Sequence, residues 1–458
     1  MKPIYRGRAW LAGVGAWWVL LGGIALVFGQ WLDSRWSDWA WGAGAAAVWG
    51  LNVLVLVIGV GPPYVLSRPP ILATAFALLM TVFGLGSYWA TIQLYPLYRV
   101  GIERAAWFVA VCTFLALLVA AVGARVLRRA PTKTRRPLEW HWPRLGAITY
   151  AVFFVALVGT VVTLRRIGNV PILSGDPTMA RVDFPALGGV WYRLSMLGGV
   201  SALLVAVLVS GRRATPMLWL VGLSSLALVG GYGPRFFVVL PLGVSILLWD
   251  RVRSPINTRR LVFAGALGIP LLAILGYWRE QDSSVALLGP IGLALYGTLG
   301  EFRDLGWALD YYGFGDRFLH GQTIGSLIVP LLPAPVWRIV GIDKAAIYAQ
   351  DSAHLLADAM GQTAGQRIGA YGEMFMNFGW TGALIGAVVY GALLGYLDDR
   401  FTRVQAREVR AIFLALVITA TVFAQIGQLN MFTSTVTGLG YPMALVALMA
   451  ARRAPAEG

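Results

Sequence analysis

Long apolar runs separated by short polar segments make up most of this chain. Runs of about 17 or more apolar residues recur along its length, and a helix of that length crosses the hydrocarbon core of a bilayer. The short alternating segments of a transmembrane β-barrel are not seen in the sequence. The pattern therefore predicts an all-α, polytopic membrane protein with a single membrane domain over residues 1–458.

Twelve membrane spans are predicted, bounded by polar, charged or Pro- and Gly-rich segments. They are approximately 9–29, 39–60, 71–91, 105–124, 145–164, 190–210, 216–231, 236–250, 261–277, 377–397, 411–428 and 434–451. Between the ninth and tenth spans, residues 278–376 form a large loop. Its apolar stretches 284–300 and 321–341 are expected to be interfacial or re-entrant helices, because prolines interrupt the second stretch.

The distribution of basic residues orients these spans. Of 37 Lys and Arg, 23 lie in the segments on the same side as both chain ends, and 14 lie on the other side. Basic residues collect in cytoplasmic loops, so both termini are predicted to be cytoplasmic and loop 278–376 to lie outside. This bias also accounts for the net charge of +16, which therefore does not indicate a nucleic-acid partner.

Several classes of site have no signature in the sequence. The chain has one cysteine, Cys112, and three dispersed histidines, so neither a disulfide framework nor a zinc site is expected. The motifs GxxxxGK[ST], HExxH and GxSxG do not occur, and no cofactor is expected. The predicted spans carry almost no ionisable residues, unlike the ion-coupling helices of secondary transporters.

Candidate chemistry is concentrated where the tenth span begins, in the stretch 365–397. Glu373 and Asn377 are four residues apart and share one helix face, with Arg367 just before them. We expect Glu373 to act as a general base or as the partner of an outer arginine; the alternative is a carboxylate that favours a helix N-terminus. His320 and His354, both on loop 278–376, are alternative bases or substrate ligands, although a single histidine is more often structural.

The 14 basic residues of the predicted outer side are arginines, apart from Lys344. Guanidinium groups bind phosphate oxygens in bidentate geometry, so this surface is expected to bind a phosphate or diphosphate headgroup. The alternative is that many of these arginines pair with nearby acids. Arg279 is one candidate for headgroup binding. Arg235 is the strongest candidate, because it lies in a tight turn with no acid within ten residues.

Four segments give the chain a family resemblance. They are GNVPILSGDPTMARVDF (168–184), GGYGPRFFVVLPL (230–242), FLHGQTIGSLIVPLLPAPVW (318–337) and RIGAYGEMFMNFGWTGALIGAVVYG (367–391). In this order they resemble the motifs of bacterial O-antigen polymerases of the Wzy type, the oligosaccharide repeat unit polymerases. The resemblance maps the family's arginines to Arg181 and Arg235, and its Glu and Asn-Phe-Gly motif to Glu373 and Asn377–Gly379.

The resemblance implies a GT-C-like membrane glycosyltransferase in the bacterial inner membrane. Such an enzyme joins undecaprenyl-diphosphate-linked oligosaccharide repeat units at the outer face without a metal. Arginines would stabilise the departing diphosphate, and Glu373 would act on the acceptor hydroxyl. Membrane lipid is an implied partner, and a chain-length regulator is left open. The Gly-rich face of the tenth span would admit a neighbouring helix or a prenyl chain.

Two alternatives stay open at this point. One is a related reaction, either an O-antigen ligase or another GT-C transferase that uses a lipid-linked sugar. The other is a transporter of lipid or polysaccharide, which would bind the same substrate and form no glycosidic bond. The products distinguish them: a ladder of repeat units, a single transfer, or no new linkage.

Overall fold

A computed structural model describes five parts of the chain: residues 91–127, 138–170, 189–252, 302–361 and 368–453. Gaps within these parts fall at 93, 169, 212, 214, 233–235, 314–316, 329–330, 333, 344–345, 348, 405–407 and 427–428. The predicted spans 9–29, 39–60, 71–91 and 261–277 lie outside the described residues, except for Thr91 at the end of the third.

The described parts are mostly helical. The helices are α1 Arg99–Leu127, α2 Trp142–Ile167, α3 Leu197–Ser210, α4 Pro216–Gly230, α5 Phe236–Val252, α6 Phe302–Gly313, α7 Gly325–Ile328, α8 Ala334–Ile339, α9 Ser352–Ala359, α10 Gly369–Arg403, α11 Val409–Ile426, α12 Leu429–Thr435 and α13 Tyr441–Ala450. Short 3₁₀ turns occupy Pro96–Tyr98 and Gln322–Ile324, and a π-helical turn, Val436–Gly440, joins α12 to α13. Two strands, β1 Leu138–Trp140 and β2 Ala451–Arg453, complete the set.

Five helical segments in the described parts are long and apolar enough to cross a membrane. They are Arg99–Ala120, Trp142–Ile167, Gly189–Ser210, Gly369–Phe401 and Phe432–Ala450. Shorter apolar helices cover Pro216–Gly230, Leu240–Trp249 and Val409–Val422. These eight helices coincide with the eight predicted spans that fall in the described parts. The described parts are accordingly those of an all-α protein of membrane type, and they include a short β-ribbon that the apolar pattern did not predict.

Two helices begin earlier than predicted. Helix α1 starts at Arg99 rather than 105, and α10 starts at Gly369 rather than 377. The sequence bounds were set at polar residues, but Glu103 pairs with Arg99 one turn away, at 2.8 Å. Glu373 is likewise accommodated inside α10 by a hydrogen bond from another helix. Residues 369–376, predicted to end the large loop, are therefore the first two turns of α10.

The core forms where α1 and α10 pack along each other. Gly391 of α10 lies against the backbone of Ala116 in α1, so close that a Cβ at position 391 would collide with the Ala116 carbonyl oxygen. Nearer the start of α10, Trp380 contacts Trp107 and Phe108 of α1 edge-on, with ring centroids 5.7 and 4.9 Å apart. Helix α6 packs on both α1 and α10 and completes this side of the core.

The other glycines of the Gly-rich face have a different role from the one predicted. A Cβ at Gly382 would meet Phe378 and the Met374 carbonyl oxygen, and a Cβ at Gly386 would meet the Met374 side chain at 3.0 Å. Gly382 and Gly386 therefore make room for the preceding part of α10 itself, because the helix bends at Phe378–Gly379, just before these two glycines. Of the glycines named here, Gly391 is the one that admits a neighbouring helix.

Three segments predicted to share the cytoplasmic side meet at one end of the protein. Strand β1 pairs antiparallel with β2, with Glu139 opposite Arg452. Glu139 also forms an isolated β-bridge with Glu408, at the start of α11. The two acids are buried, at 8 % and 7 % exposure. This contact ties the predicted inner loop, the α10–α11 connection and the C-terminal strand together.

Candidate functional site

Helix α10 is interrupted at Phe378 and Gly379. Phe378 has φ −142° and ψ 16°, and Gly379 has φ 64° and ψ −158°, a conformation that is open essentially only to glycine. The Phe318 ring packs directly against Gly379, 2.9 Å from the position that a Cβ would occupy. The Asn-Phe-Gly motif found in the sequence is thus the point where the helix changes direction.

The loop that precedes α7 covers this interruption. The backbone N–H of Leu319 donates to the Met376 carbonyl oxygen at 2.9 Å, and that of His320 donates to the Asn377 carbonyl oxygen at 3.0 Å. Broken helices are tolerated at membrane depth where such partners satisfy the freed carbonyl groups. His320 adopts the left-handed region, with φ 46°, and its side chain is exposed.

Asn377 holds the same loop through its side chain. The amide is fully buried; its Oδ1 accepts the Gly321 N–H at 2.9 Å, and its Nδ2 donates to Thr323 Oγ1 at 2.7 Å and to the Glu373 carbonyl oxygen at 2.8 Å. These three bonds are with the chain itself. In this structure Asn377 therefore positions the loop. The sequence also made Asn377 a candidate substrate ligand, and that role stays a prediction.

Glu373 is also buried, at 1 % exposure. Its Oε2 accepts the backbone N–H of Leu429, the first residue of α12, at 3.0 Å. The hydroxyl groups of Thr323 and Ser352 and the carboxylate of Asp351 are its other polar neighbours. Glu373 thereby joins α10 to α12, and its carboxyl group is shielded from solvent.

Asp351 and His354 form a pair at the start of α9. Asp351 is the N-cap of this helix and accepts the His354 backbone N–H at 2.8 Å. The same Oδ1 lies 2.7 Å from His354 Nδ1, and Oδ2 accepts from Asn430 Nδ2 at 3.2 Å. The Asp351 side chain is 8 % exposed, whereas the His354 side chain is 57 % exposed. A buried carboxylate thus orients an imidazole that faces outward.

Four sequence candidates lie in the described parts: Asn377 and His320 at the interruption of α10, Glu373 one turn before Asn377, and His354 beside Asp351 at the start of α9. The other four, Arg181, Arg235, Arg279 and Arg367, lie outside the described residues. The loop 318–326 and the start of α9 bring distant parts of the predicted outer segment onto α10. The site is assembled from three chain segments and the first turn of α12.

Three described arginines of the predicted outer side are bound to carboxylates. Arg99 pairs with Glu103 and Arg104 with Asp310, each at 2.8 Å, and Arg303 pairs with Asp304 at 2.7 Å. For these three, the structural alternative raised by the sequence fits better than headgroup binding. Arg317 instead lies over the Tyr311 ring, 4.7 Å from its centroid.

A tyrosine completes the polar cluster that joins α1 to α6. Burial, together with the nearby Asp310 carboxylate, raises the pKa of the Tyr98 phenol. Tyr98 accordingly stays protonated and donates its hydroxyl hydrogen to Asp310 Oδ2 at 2.8 Å. Asp310 therefore bridges Tyr98 and Arg104 and fixes the N-terminal end of α1 against α6.

Sequence reasoning missed three groups of the site: Asp351, Asn430 and the Leu429 backbone N–H. The spacing of Asp351 and His354 is that of an N-cap and its third helical residue, a signal that could have indicated the pair. Asn430 lies in a segment that mixes apolar residues with other amides and hydroxyl residues, and no local signal marks it. No group of three or more His, Cys, Asp or Glu that could hold a metal ion is found among the described residues.

Comparisons of the chain with protein-family models, curated proteins and solved structures found no match.

Proposed function

We propose that this protein is a membrane glycosyltransferase that joins undecaprenyl-diphosphate-linked oligosaccharide repeat units into a polysaccharide at the outer face of the bacterial inner membrane. The growing glycan is the donor, and a second lipid-linked repeat unit is the acceptor. An acceptor hydroxyl oxygen attacks the anomeric carbon of the donor, and the lipid diphosphate leaves with the electron pair of the broken bond.

The observation that carries this proposal is the arrangement of the four motif segments. The third and fourth are far apart in the chain, yet Leu319 and His320 are bonded to Met376 and Asn377. The first and second also meet, because Val170 lies 3.8 Å from the Cβ position of Gly231. Segments chosen for their resemblance alone are therefore neighbours in pairs, as parts of a shared site would be.

The polar composition of the site supports the same reaction. Glu373, Asp351 and His354 supply groups that can hold or accept a proton, which the acceptor hydroxyl requires. The departing diphosphate requires positive charge, for which Arg181, Arg235, Arg279 and Arg367 are the candidates. The paired Arg99, Arg104 and Arg303 are weaker candidates, because their guanidinium groups already bind carboxylates.

The test uses the purified full-length protein in lipid nanodiscs with a synthetic undecaprenyl-diphosphate repeat unit. Wild type is expected to yield a ladder of glycan lengths, which Arg235→Ala and Glu373→Gln should abolish or shorten. Arg410→Ala is the matched control, since Arg410 is paired with Glu408 at the opposite end of the protein and should leave the ladder intact.

Other outcomes separate the alternatives. A single transfer to a different acceptor would favour a ligase, and movement of the lipid between leaflets without a new linkage would favour a transporter. A wild-type ladder that survives both substitutions would retain the polymerase and contradict the assignment of Arg235 and Glu373. Absence of any glycosidic product from protein that binds the lipid would contradict the polymerase itself.

A further inference from the structure

We infer that His354, oriented by Asp351, is the group that takes the proton from the acceptor hydroxyl. This inference rests on the proposed glycosyl transfer. It transfers to His354 the role of general base, for which Glu373 was the first candidate from the sequence. It also adds Asp351 and Asn430 as positioning residues for His354.

Glu373 and His354 differ in their access to a substrate. Glu373 is 1 % exposed, and its Oε2 is occupied by the Leu429 N–H, so its carboxyl group is closed to an acceptor hydroxyl in this structure. The His354 side chain is 57 % exposed, so the imidazole is open to the outside.

The hydrogen bond to Asp351 also determines which nitrogen of His354 is basic. In the neutral ring one nitrogen carries the proton, and a carboxylate 2.7 Å from Nδ1 selects the tautomer with that proton on Nδ1. The lone pair is then on Nε2, at the far end of the ring. Asp351 is itself held from its other oxygen by Asn430 Nδ2, so the pair has a defined orientation.

His320 lacks the corresponding support. Its side chain is exposed, but no carboxylate is bonded to its ring among the residues that the structure describes. Its contribution to the loop is its backbone N–H, which donates to the Asn377 carbonyl oxygen. Of the two loop histidines, His354 is therefore the one arranged as a base.

The acceptor hydroxyl transfers its proton to His354 Nε2 while its oxygen forms the bond to the anomeric carbon of the donor. The bond between that carbon and the diphosphate oxygen breaks, and its electron pair leaves with the diphosphate. The imidazolium, stabilised by the Asp351 carboxylate, then returns its proton to solvent water.

The test measures initial rates of elongation by wild type, His354→Ala and Asp351→Asn in the nanodisc assay. His354→Ala should lower kcat about 10²- to 10⁴-fold, the usual contribution of a general base, with little change in KM. Added imidazole should restore part of that rate in proportion to its concentration. A structural role for His354 would not respond to imidazole.

Asp351→Asn separates the two roles of Asp351. Asparagine caps a helix about as well as aspartate, and the Asn430 amide can turn its oxygen toward the new NH2 group, so the thermal unfolding midpoint should stay close to the wild-type value. Without the carboxylate the imidazolium loses its partner, and kcat should fall tenfold or more. His141→Asn is the matched control, because His141 is also a helix N-cap and lies next to the β-ribbon at the opposite end.

Each outcome decides between the two proposals. If wild type elongates and His354→Ala keeps its rate, or loses it without rescue by imidazole, the assignment of His354 is wrong and the polymerase stands. If Asp351→Asn keeps the wild-type kcat, Asp351 is only a helix cap. If wild type forms no glycosidic bond, the proposed function fails and this inference fails with it.

Discussion

Before the interruption at Phe378–Gly379, α10 buries polar side chains, and after it the helix buries mostly apolar ones. Glu373 and Asn377 are 1 % and 0 % exposed, and each is bonded to a loop or to another helix. Residues of the second half, such as Ala387 and Leu394, are fully buried in plain apolar contact. The first half therefore depends on hydrogen-bond partners, and the second on close packing.

The comparison shows how one helix can serve two purposes. Burial of an unpaired polar group is costly, so polar side chains are kept in the first half only where loop 318–326, α9 and α12 supply partners. In the second half, Tyr390 donates its hydroxyl hydrogen to the Thr421 carbonyl oxygen at 2.7 Å, but the contact with α1 rests on apolar side chains and on Gly391, which allows close approach. Substitutions in the two halves should accordingly fail in different ways.

The largest effect is expected in the second half, for Gly391→Val. The new side chain would collide with the Ala116 backbone, and overpacking of this kind costs about 1–3 kcal/mol or more. The thermal unfolding midpoint in detergent should fall by many degrees. Gly146→Ala is the control, because nothing lies within 4 Å of its Cβ position, and its midpoint should stay level or rise. An unchanged midpoint for Gly391→Val would contradict the close contact of α1 and α10.

A smaller loss is expected at the junction of the two halves, for Gly379→Ala. Its backbone conformation costs a residue with a side chain about 1–3 kcal/mol, and the Cβ would also press on Phe318. The midpoint should fall, and elongation should fall with it. Gly325→Ala is the matched control, since Gly325 has φ −54° and open space around it. Equal stability of the two variants would show that α10 passes through this point without the observed bend.

The most local effect is expected in the first half, for Asn377→Ala. The Gly321 N–H and the Thr323 hydroxyl would lose a buried partner, at a cost of about 1–3 kcal/mol. Amide hydrogen exchange should therefore accelerate at Gly321, and less at Leu319 and His320, whose bonds are to backbone carbonyl groups.

Thr323→Val tests the hydrogen bonds of Asn377 with a smaller change. It removes one of the three bonds of the Asn377 side chain and should increase exchange at Gly321 less than Asn377→Ala does. Equal exchange at Gly321 in wild type and Asn377→Ala would show that the side chain does not hold the loop. The polar first half would then owe its order to packing, as the second half does.

The sequence pattern predicted the apolar helices well, because a membrane span is recognised from the length of a local apolar run. Eight predicted spans coincide with helices in the described parts, since a long apolar run has few other stable conformations in lipid. The starts of α1 and α10 were predicted too late, because Glu103 and Glu373 are charged residues whose partners only the folded chain supplies. The β-ribbon was missed because three-residue strands give no periodic signal.

The candidate site stays a prediction, but part of its arrangement could be read from the sequence. Glu373 and Asn377 were selected from their spacing on one helix face, and His320 and His354 from their chemistry. Asn377 and His320 lie at the interruption of α10, and Glu373 lies one turn before Asn377. The spacing could not reveal which of these side chains are exposed to solvent. Exposure depends on the distant Leu429 and Asn430, which shield Glu373 and orient Asp351.

By itself, the sequence determined that this chain is a helical protein of membrane type, where the long apolar helices of its described parts lie, and which polar residues are candidates for its chemistry. Apolar run length and residue type are local properties, so they can be read without a fold. The tertiary structure alone decided that α10 bends at Gly379, that Asn377 holds a loop, and that His354 rather than Glu373 faces outward. Those features depend on contacts between segments 50 or more residues apart, such as Asn377 with Thr323 and Leu429 with Glu373.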